Sequence, residues 1–236
     1  MNDEHKDITK YIYHDNIGRV QLVQHWGNDQ TIVNSARVSF DTNKKVFTMT
    51  DKKLIAYLAK HKHMSPFGHC FASFKVTAPI FVARQLVKHK FLRWNEISRR
   101  YVNTKPNWYR PSISDPDTAI WRSQTKDKKQ GSGDVIQSEQ KQSLATFHLS
   151  NVIAEAMASY SKLLELGICE EQARMVLPIC HMTEWFWSGS LDAFADMCRL
   201  RCAKDAQVES KMIAYQVSDH MHKLFPVSWE ALTEVK

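Results

Sequence analysis

Apolar and polar residues alternate along three short segments of the chain, and such alternation is typical of strands with one buried face. The segments are 20–26, 70–77 and 179–187. Elsewhere the apolar residues recur at helical spacing, which predicts helices at 29–38, 50–60, 80–88, 138–166, 170–176, 191–200 and 205–224. Because strands are few and helices long, we expect the α+β class, with a small, mostly antiparallel sheet packed with long helices.

Several residues indicate where these helices begin and end. Asp29 and Ser190 are candidate N-caps, Pro79 is a candidate first helical residue, and Gly167 is a candidate stop. Segments 61–67 and 88–101 are predicted as a polar turn and a polar loop. Segment 123–138 has the lowest hydrophobicity and is predicted as an exposed excursion. No linker divides the remainder, so we expect one domain over residues 1–236.

The composition suits a soluble globule. The 236 residues are 43% hydrophobic, and no stretch approaches the roughly 18 apolar residues that a membrane span needs. The five cysteines form an odd count without regular spacing, which favours reduced thiols in a compartment such as the cytoplasm. Cys198 and Cys202 stand at helical spacing, but no second Cys or His pair lies nearby at zinc-site spacing, so no metal is expected.

The net charge of +7 indicates an anionic partner. Lys and Arg residues concentrate between positions 84 and 101, where Glu96 is the only carboxylate. Apolar residues interrupt this basic segment, which favours partial burial over a purely solvated face, and its polar side chains offer directional hydrogen bonds. Charge alone leaves nucleotides, phosphorylated cofactors and nucleic acid open as partners.

The basic segment carries a motif. Lys88-His89-Lys90, followed after seven residues by Ser98, resembles the signature of the flavin-dependent thymidylate synthases, in which Arg-His-Arg precedes a serine at that spacing. The likeness continues, in the family's order, through segments 36–40, 65–69, 78–85, 173–178 and 200–207.

The resemblance implies a reaction and an assembly. It implies that dUMP is methylated to dTMP, that methylenetetrahydrofolate supplies the carbon, and that FAD reduced by NADPH supplies the hydride. It also implies a homotetramer with active sites at subunit interfaces. The protein's own part would be orientation and electrostatics, since the flavin carries the redox chemistry.

The resemblance also assigns residues. Arg201 would be catalytic, because a permanent cation beside the pyrimidine stabilises negative charge on N3 and the adjoining carbonyl; the alternative is an arginine that balances a helix dipole. The positions that match the family's dUMP contacts are Gln85, Lys88, Glu96, Ser98, Arg99, Arg100, Arg174 and Arg201. Those that match its FAD contacts are His63, Ser65, Lys88, His89, Lys90, Asn95, Glu96 and Ser190.

One departure affects the flavin. Lys88 and Lys90 replace the two arginines of the signature, so they would act on FAD as point charges where a guanidinium binds bidentately. No cysteine stands in the basic segment or has an evident activating partner, so we expect no cysteine nucleophile.

Two alternatives remain open from the sequence. One is a pyrimidine hydroxymethylase on the same scaffold, in which water captures the transferred carbon. The other is a noncatalytic nucleic-acid-binding protein that uses the basic, tryptophan-containing segment. Under the thymidylate synthase interpretation, dUMP, folate and NADPH are the expected partners. Neither nucleic acid nor a membrane is expected as a partner.

Overall fold

A computed structural model describes residues 10–11, 13, 17–41, 43, 45–111, 120–125 and 131–234. It is an α+β fold, as the sequence predicts. The strands are β1 (Lys10–Tyr11), β2 (Arg19–Trp26), β3 (Phe71–Pro79), β4 (Leu92–Glu96) and β5 (Met182–Ser190). The helices are α1 (Asp29–Arg37), α2 (Met49–Lys60), α3 (Ile80–Leu86), α4 (Glu139–Glu165), α5 (Glu170–Ala173), α6 (Leu191–Arg201), α7 (Val208–Leu224) and α8 (Pro226–Thr233).

The described strands form one antiparallel sheet in the order β1-β2-β3-β5-β4. Its two longest strands, β3 and β5, pair along their whole length from Phe71 opposite Ser190 to Pro79 opposite Met182. Short turns of 3₁₀ helix at Val38–Phe40, Ser65–His69 and Arg174–Val176 complete the connections. The sheet therefore brings the residues that follow β5 close to those that precede β3.

One face of the sheet forms the core with α6 and α7. Phe74 of β3 and Trp187 of β5 are completely buried, and both rings meet Phe194 of α6 edge-on, at centroid distances of 5.2 and 5.4 Å. Trp94 of β4 stacks on the buried Trp185 at 4.3 Å. Aromatic rings of this size contribute most of the apolar area that stabilises a small core.

Strand β4 corrects the sequence prediction for segment 88–101, which was wrong in part. The segment is a loop only as far as Phe91, and then β4 pairs with β5 from Leu92 opposite Gly189 to Glu96 opposite Trp185. In β4 the partly buried Leu92 and Trp94 alternate with the exposed Arg93 and Asn95, as expected of a strand with one solvent-facing side. The predicted turn at 61–67 likewise ends in a 3₁₀ helix, in which Phe67 is buried.

Several predicted boundaries were also wrong. Strand β5 is shifted by three residues toward the C-terminus relative to the predicted 179–187, α3 ends at Leu86, and α7 begins at Val208. Pro79 is the last residue of β3 and the N-cap of α3, not its first helical residue. The sequence pattern missed α8 altogether.

Asp29 does not cap α1. Asn28 does, since its side chain accepts a hydrogen bond from the backbone N–H of Thr31. The Asp29 carboxylate instead accepts backbone N–H groups of Val227 and Ser228, both at 3.0 Å, in the first turn of α8. A carboxylate there accepts hydrogen bonds from backbone N–H groups that have no partner within the helix, and it complements the helix dipole. Asp29 therefore stabilises the contact between α1 and α8.

The predicted excursion is paired at both ends. Arg122 forms an isolated β-bridge with Val135, and the backbone N–H of Ile136 donates to the Trp121 carbonyl at 3.1 Å. Residues 126–130 of this segment lie outside the described residues. Helix α4 follows as predicted, with Ser138 as its N-cap and Gly167 at a φ of 77° directly after its C-cap.

Candidate active site

Three of the predicted site residues meet at the ends of α3 and α6. The Nε of Arg201 donates to His89 Nε2 at 2.9 Å, its Nη1 donates to Gln85 Oε1 at 3.3 Å, and its Nη2 donates to the Gln85 backbone carbonyl at 3.1 Å. Arg201 lies in the last turn of α6, and Gln85 lies in the last turn of α3. The guanidinium is therefore held in one orientation by three hydrogen bonds.

The His89 imidazole in this cluster is neutral. Burial and, to a smaller extent, the positive charge of Arg201 lower its pKa to about 4. Because Arg201 donates to Nε2, the ring proton must reside on Nδ1. Partial burial also lowers the pKa of Arg201, but a guanidinium stays charged in a protein. The cluster thus presents one fixed positive charge.

A second group of predicted residues lies at the end of β4. Glu96 accepts hydrogen bonds from the Thr183 hydroxyl at 2.8 Å and from the Trp94 indole at 3.0 Å. His181 lies close by, and its pKa is lowered mainly by burial, with Arg99 lowering it and Glu96 raising it. This group combines a carboxylate, a guanidinium and an imidazole.

Two other predicted dUMP contacts make local hydrogen bonds of their own. Ser98 accepts hydrogen bonds from the backbone N–H and the Nε of Arg100, both at 3.3 Å. Arg174 lies exposed in the 3₁₀ turn after α5 and donates to the Glu171 carbonyl at 3.2 Å. In the described part of the chain, no hydrogen bond or ion pair connects these two residues to Arg201.

Most of the predicted flavin residues share one end of the sheet. Ser190 at the end of β5 lies opposite the start of β3, and β4 begins opposite Gly189. His63 and Ser65 lie in the connection that enters β3, and the signature triplet lies in the connection that enters β4. The side chains of His63, Ser65, Lys88, Lys90 and Asn95 are exposed. Asn95 and Glu96 are the exceptions, because they lie at the far end of β4.

Ser190 is the N-cap of α6 by position, but its side chain does not cap the helix. Its hydroxyl donates to the Asp192 carboxylate at 2.5 Å, and the backbone N–H of Leu191 donates to the Cys70 carbonyl at 2.8 Å. One helix N–H is therefore already satisfied, and a carboxylate lies in the first turn. Both facts make this helix start less suited to binding an anion than a helix N-terminus with free N–H groups.

Cys202 lies beside groups that lower the pKa of its thiol. A hydrogen bond from Cys198 lowers its pKa, burial opposes this effect, and the charge of Lys211 adds to it. The two thiols lie on consecutive turns at the end of α6, and Cys202 directly follows Arg201. By contrast, burial and the charge of Asp29 raise the pKa of Cys70 to about 12.

Sequence reasoning missed two residues that contact the cluster. Gln207 accepts a short hydrogen bond from Gln85 Nε2, and the Ser210 hydroxyl donates to Gln85 Oε1 at 3.1 Å. They stand three residues apart at the start of α7, which places them on one helix face. This spacing was the only sequence feature that could have indicated the two residues. It would have pointed to contacts with Gln85 only if the start of α7 had been known to face α3.

A cavity of about 620 Å³ borders the cluster at Gln207. Its walls are mainly apolar and include Phe81, Tyr109 and Trp121, while Glu209 is a polar group at its edge. Glu209 accepts a hydrogen bond from the Tyr109 hydroxyl at 3.1 Å. Burial and this carboxylate raise the pKa of Tyr109 above its usual range. None of the predicted site residues lines the cavity, and it meets the cluster only through Gln207.

The described residues contain neither a metal-binding cluster nor a membrane-spanning helix. No group of three or more His, Cys, Asp or Glu side chains there is arranged to hold a metal ion. None of the helices in the described ranges combines the length and the apolar character needed to cross a membrane.

Comparisons with known proteins agree with the motif. Residues 21–227 match a family model described as thymidylate synthase complementing protein. The chain is 38% identical over 217 residues to a flavin-dependent thymidylate synthase of Thermus thermophilus, covering 92% of this chain and 76% of that protein. It is 40% identical over 209 residues to a protein of the same description from Treponema denticola, covering 89% and 74% of the two chains.

A solved structure has the same fold. The UMP/dUMP methylase PolB from Streptomyces cacaoi, bound with 5-Br dUMP, superposes with a TM-score of 0.80 at 30% sequence identity. The match covers 91% of this chain and 94% of the other. Likeness at this level of identity and coverage extends well beyond the basic segment.

Proposed function

The chain belongs to the thymidylate synthase complementing protein family, and we propose that its reaction, the flavin-dependent methylation of dUMP to dTMP, takes place beside Gln85, His89 and Arg201. The observation that carries this placement is the orientation of Arg201 by three hydrogen bonds, at 2.9, 3.1 and 3.3 Å. A cation held in advance costs no reorganisation when charge develops on a substrate.

Arg201 has the donors that this role requires. Its Nη1 and Nη2 each use one N–H on Gln85, so each retains a second N–H, and the side chain is only partly buried. Those two donors can meet one carbonyl oxygen of uracil and the adjoining N3 atom when N3 carries negative charge. Negative charge that develops there during substitution at C5 is then stabilised by a permanent cation.

His89 holds Arg201 without adding charge. Because its pKa is about 4, the imidazole accepts the Arg201 N–H throughout the neutral pH range. A protonated histidine at this position would repel the guanidinium and lose the hydrogen bond. We therefore assign His89 to positioning of the guanidinium, in addition to its predicted place beside the flavin.

The residues near the start of β4 fit FAD. The cofactor has an anionic pyrophosphate, which needs cations, and Lys88 and Lys90 are exposed on either side of His89. In the described part of the chain neither lysine forms an ion pair. FAD, when bound, supplies the redox chemistry of the reaction. NADPH and methylenetetrahydrofolate, which the family resemblance implies, are the proposed co-substrates.

The family resemblance implies a homotetramer in which residues of neighbouring protomers complete each site. Helix α4 supports such an assembly, because Leu144 and Phe147 expose more than half of their surface to solvent. Apolar groups repeated on one long helix are typical of surfaces that bury against a partner. Light scattering of the purified protein should give a mass of four chains.

Neither alternative from the sequence is favoured. The matched relatives are named as synthases, and PolB is a UMP/dUMP methylase. The hydroxymethylase differs in product, and the nucleic-acid-binding protein would need no flavin. Both differences can be measured directly.

The deciding experiment combines a spectrum with a product mass. The purified protein should show the absorption of bound oxidised flavin, and the reduced protein should convert dUMP to dTMP when given methylenetetrahydrofolate under anaerobic conditions. Mass spectrometry separates methyl from hydroxymethyl products, which differ by one oxygen atom. If flavin-loaded protein leaves dUMP unchanged, the assignment is wrong. If the product carries the extra oxygen, the hydroxymethylase is correct.

A further inference from the structure

Two cysteines lie one turn apart at the end of α6, directly beside Arg201. Cys198 is almost completely buried, whereas Cys202 is the C-cap residue and is only partly buried. The backbone N–H of Cys202 donates to the Cys198 carbonyl at 2.8 Å, so the helical hydrogen-bond pattern continues as far as Cys202. The proposed function gives neither thiol a role.

The two sulfur atoms lie within hydrogen-bond reach of each other. The single thiol hydrogen of Cys198 has a second acceptor in the Ala214 carbonyl of α7, at 3.5 Å. Cys198 is therefore held between α6 and α7, whereas the residues that follow Cys202, 203–206, form turns and not further helix. If the two sulfurs were joined, Cys202 would be the residue that moves.

Cys202 is the more reactive of the two thiols. The hydrogen bond from Cys198 lowers its pKa, burial opposes this effect, and the charge of Lys211 lowers the pKa while that of Asp219 raises it. Burial raises the pKa of Cys198 well above the usual value of a thiol. A partly exposed thiol of lowered pKa beside a second thiol is the arrangement in which oxidation by peroxide ends in a disulfide.

A disulfide between these cysteines would deform the last turn of α6. Their Cα atoms, about 6 Å apart in a regular helix, are within the range that a disulfide allows. Their Cβ atoms are not, because residues four apart on a helix have Cβ atoms about 5–6 Å apart and a disulfide holds them about 3.5–4.5 Å apart. Closing the gap needs a shift of about 1 Å or more in the turn that contains Arg201.

Such a shift would break the contacts of Arg201. Its hydrogen bonds to His89 and Gln85 span 2.9 to 3.3 Å, and a hydrogen bond is lost once its two atoms are more than about 3.5 Å apart. A misplacement of about 1 Å at a reacting site lowers the rate by about 100-fold.

We propose that Cys202 is a site of oxidation by hydrogen peroxide, and that its disulfide with Cys198 displaces Arg201 and inactivates the site. The Cys202 thiolate attacks one peroxide oxygen, the O–O bond breaks, and hydroxide leaves with the electron pair, which makes Cys202 a sulfenic acid. Cys198 then attacks the Cys202 sulfur, the S–S bond forms as the S–O bond breaks, and the oxygen leaves as water with the Cys198 proton. The two thiols lose the two electrons that the peroxide gains. The loss of activity rests on the proposed function, whereas the disulfide does not.

The chain offers a direct readout of the new bond. Trypsin cleaves after Arg199 and Arg201, so it separates Cys198 and Cys202 into different peptides. The flavin-loaded protein is treated with hydrogen peroxide, the excess is removed with catalase, and the remaining free thiols are alkylated. Mass spectrometry of the unreduced digest should then find the two peptides joined, with the loss of two hydrogen atoms.

A single turnover measures the effect on the reaction, with NADPH as the reductant so that no thiol is added. Formation of dTMP should slow by about 100-fold in peroxide-treated protein and recover with dithiothreitol, because thiols readily reduce a strained disulfide. Cys202→Ser should keep the wild-type rate and lose the sensitivity to peroxide. Cys169→Ser is the matched control, because Cys169 is an exposed thiol outside α6, and this variant should remain sensitive.

Cys198→Ala examines the second step. Without Cys198 the disulfide cannot form, so peroxide should leave a sulfenic acid at Cys202 that dimedone labels. Thermal unfolding shows whether this variant and Cys202→Ser are folded, and the joined peptides of the wild type test the bond if either is not.

Three results would overturn the inference. They are the absence of joined peptides at a peroxide concentration that oxidises Cys169, an unchanged rate in protein whose peptides are joined, and a Cys202→Ser variant that peroxide inactivates as it does the wild type. Untreated wild-type protein that forms no dTMP would instead overturn the proposed function, and the joined peptides would still decide whether the disulfide forms.

Discussion

Replacement of Arg201 by lysine tests the site most directly. The guanidinium makes three hydrogen bonds, to His89 Nε2 at 2.9 Å and to the two oxygens of Gln85 at 3.1 and 3.3 Å. Lysine keeps the positive charge but concentrates it in a single ammonium group on a flexible stem. The variant therefore separates the charge of Arg201 from its orientation.

The expected effect follows from the contacts. One ammonium can replace about one of the three hydrogen bonds, so two are lost. Hydrogen bonds to charged groups contribute roughly 1.5 to 3 kcal/mol each, and the lower value applies because Arg201 is only partly buried. These bonds hold the guanidinium in place, and losing one preorganised donor to the transition state lowers the rate constant of the chemical step by about 100-fold.

The assay is an anaerobic single turnover with the flavin reduced in advance, in which dTMP formation is followed by rapid quenching. The dissociation constant of dUMP is measured separately and should change by less than about tenfold, because one cation remains. Arg199→Lys is the matched control, since Arg199 lies on the same helix and donates to the Leu232 carbonyl at 2.8 Å, away from the cluster. A folded Arg201→Lys protein with the wild-type rate constant would refute the role of orientation, as would an equal loss in the control.

Three further predictions concern neighbouring groups. Changing Lys88 and Lys90 together to alanine should weaken FAD binding about tenfold or more, whereas changing both to arginine should preserve or tighten it. Titration of the apo-protein with FAD at two salt concentrations measures the affinity. Unchanged FAD affinity in the double alanine variant would show that the two lysines do not bind the flavin. His89 should titrate near pH 4 in NMR spectra, and Arg201→Gln should raise that midpoint. Since the pKa in the folded protein lies below the unfolded value of about 6.5, the free energy of unfolding should fall as the pH drops from about 6.5 to about 4. A midpoint of 6.5 in the wild type would contradict the burial argument. Cys202→Ser should retain turnover despite the lowered pKa of that thiol, and a covalent pyrimidine adduct at Cys202 would contradict this.

Elements defined by local signals could be predicted from the sequence. Helix α4 has Ser138 as its N-cap and Gly167 just after its C-cap, and both ends were predicted within a residue. These signals work because a cap satisfies backbone groups within its own turn and a glycine at positive φ needs no distant partner. The strand periodicity of β2 and β3 is local in the same sense.

Strand β4 could not be predicted in this way. Its pairing depends on β5, which lies more than 80 residues later, and on Gly189, where an added Cβ would stand 2.4 Å from the Leu92 side chain. Asp29 shows the same limit. It has the right chemistry for an N-cap, but whether it caps α1 or α8 is decided by which helix end lies against it in space.

For the site, the sequence determined which residues carry the chemistry, because Gln85, His89 and Arg201 stand in motifs that a family shares. Only the tertiary structure decided their arrangement, since α3, α6 and α7 meet through side chains more than 100 residues apart. It showed that Gln207 and Ser210 hydrogen-bond to Gln85. The physical reason is that motif residues record which atoms a reaction needs, whereas orientation and burial arise from contacts that form only when distant segments pack together.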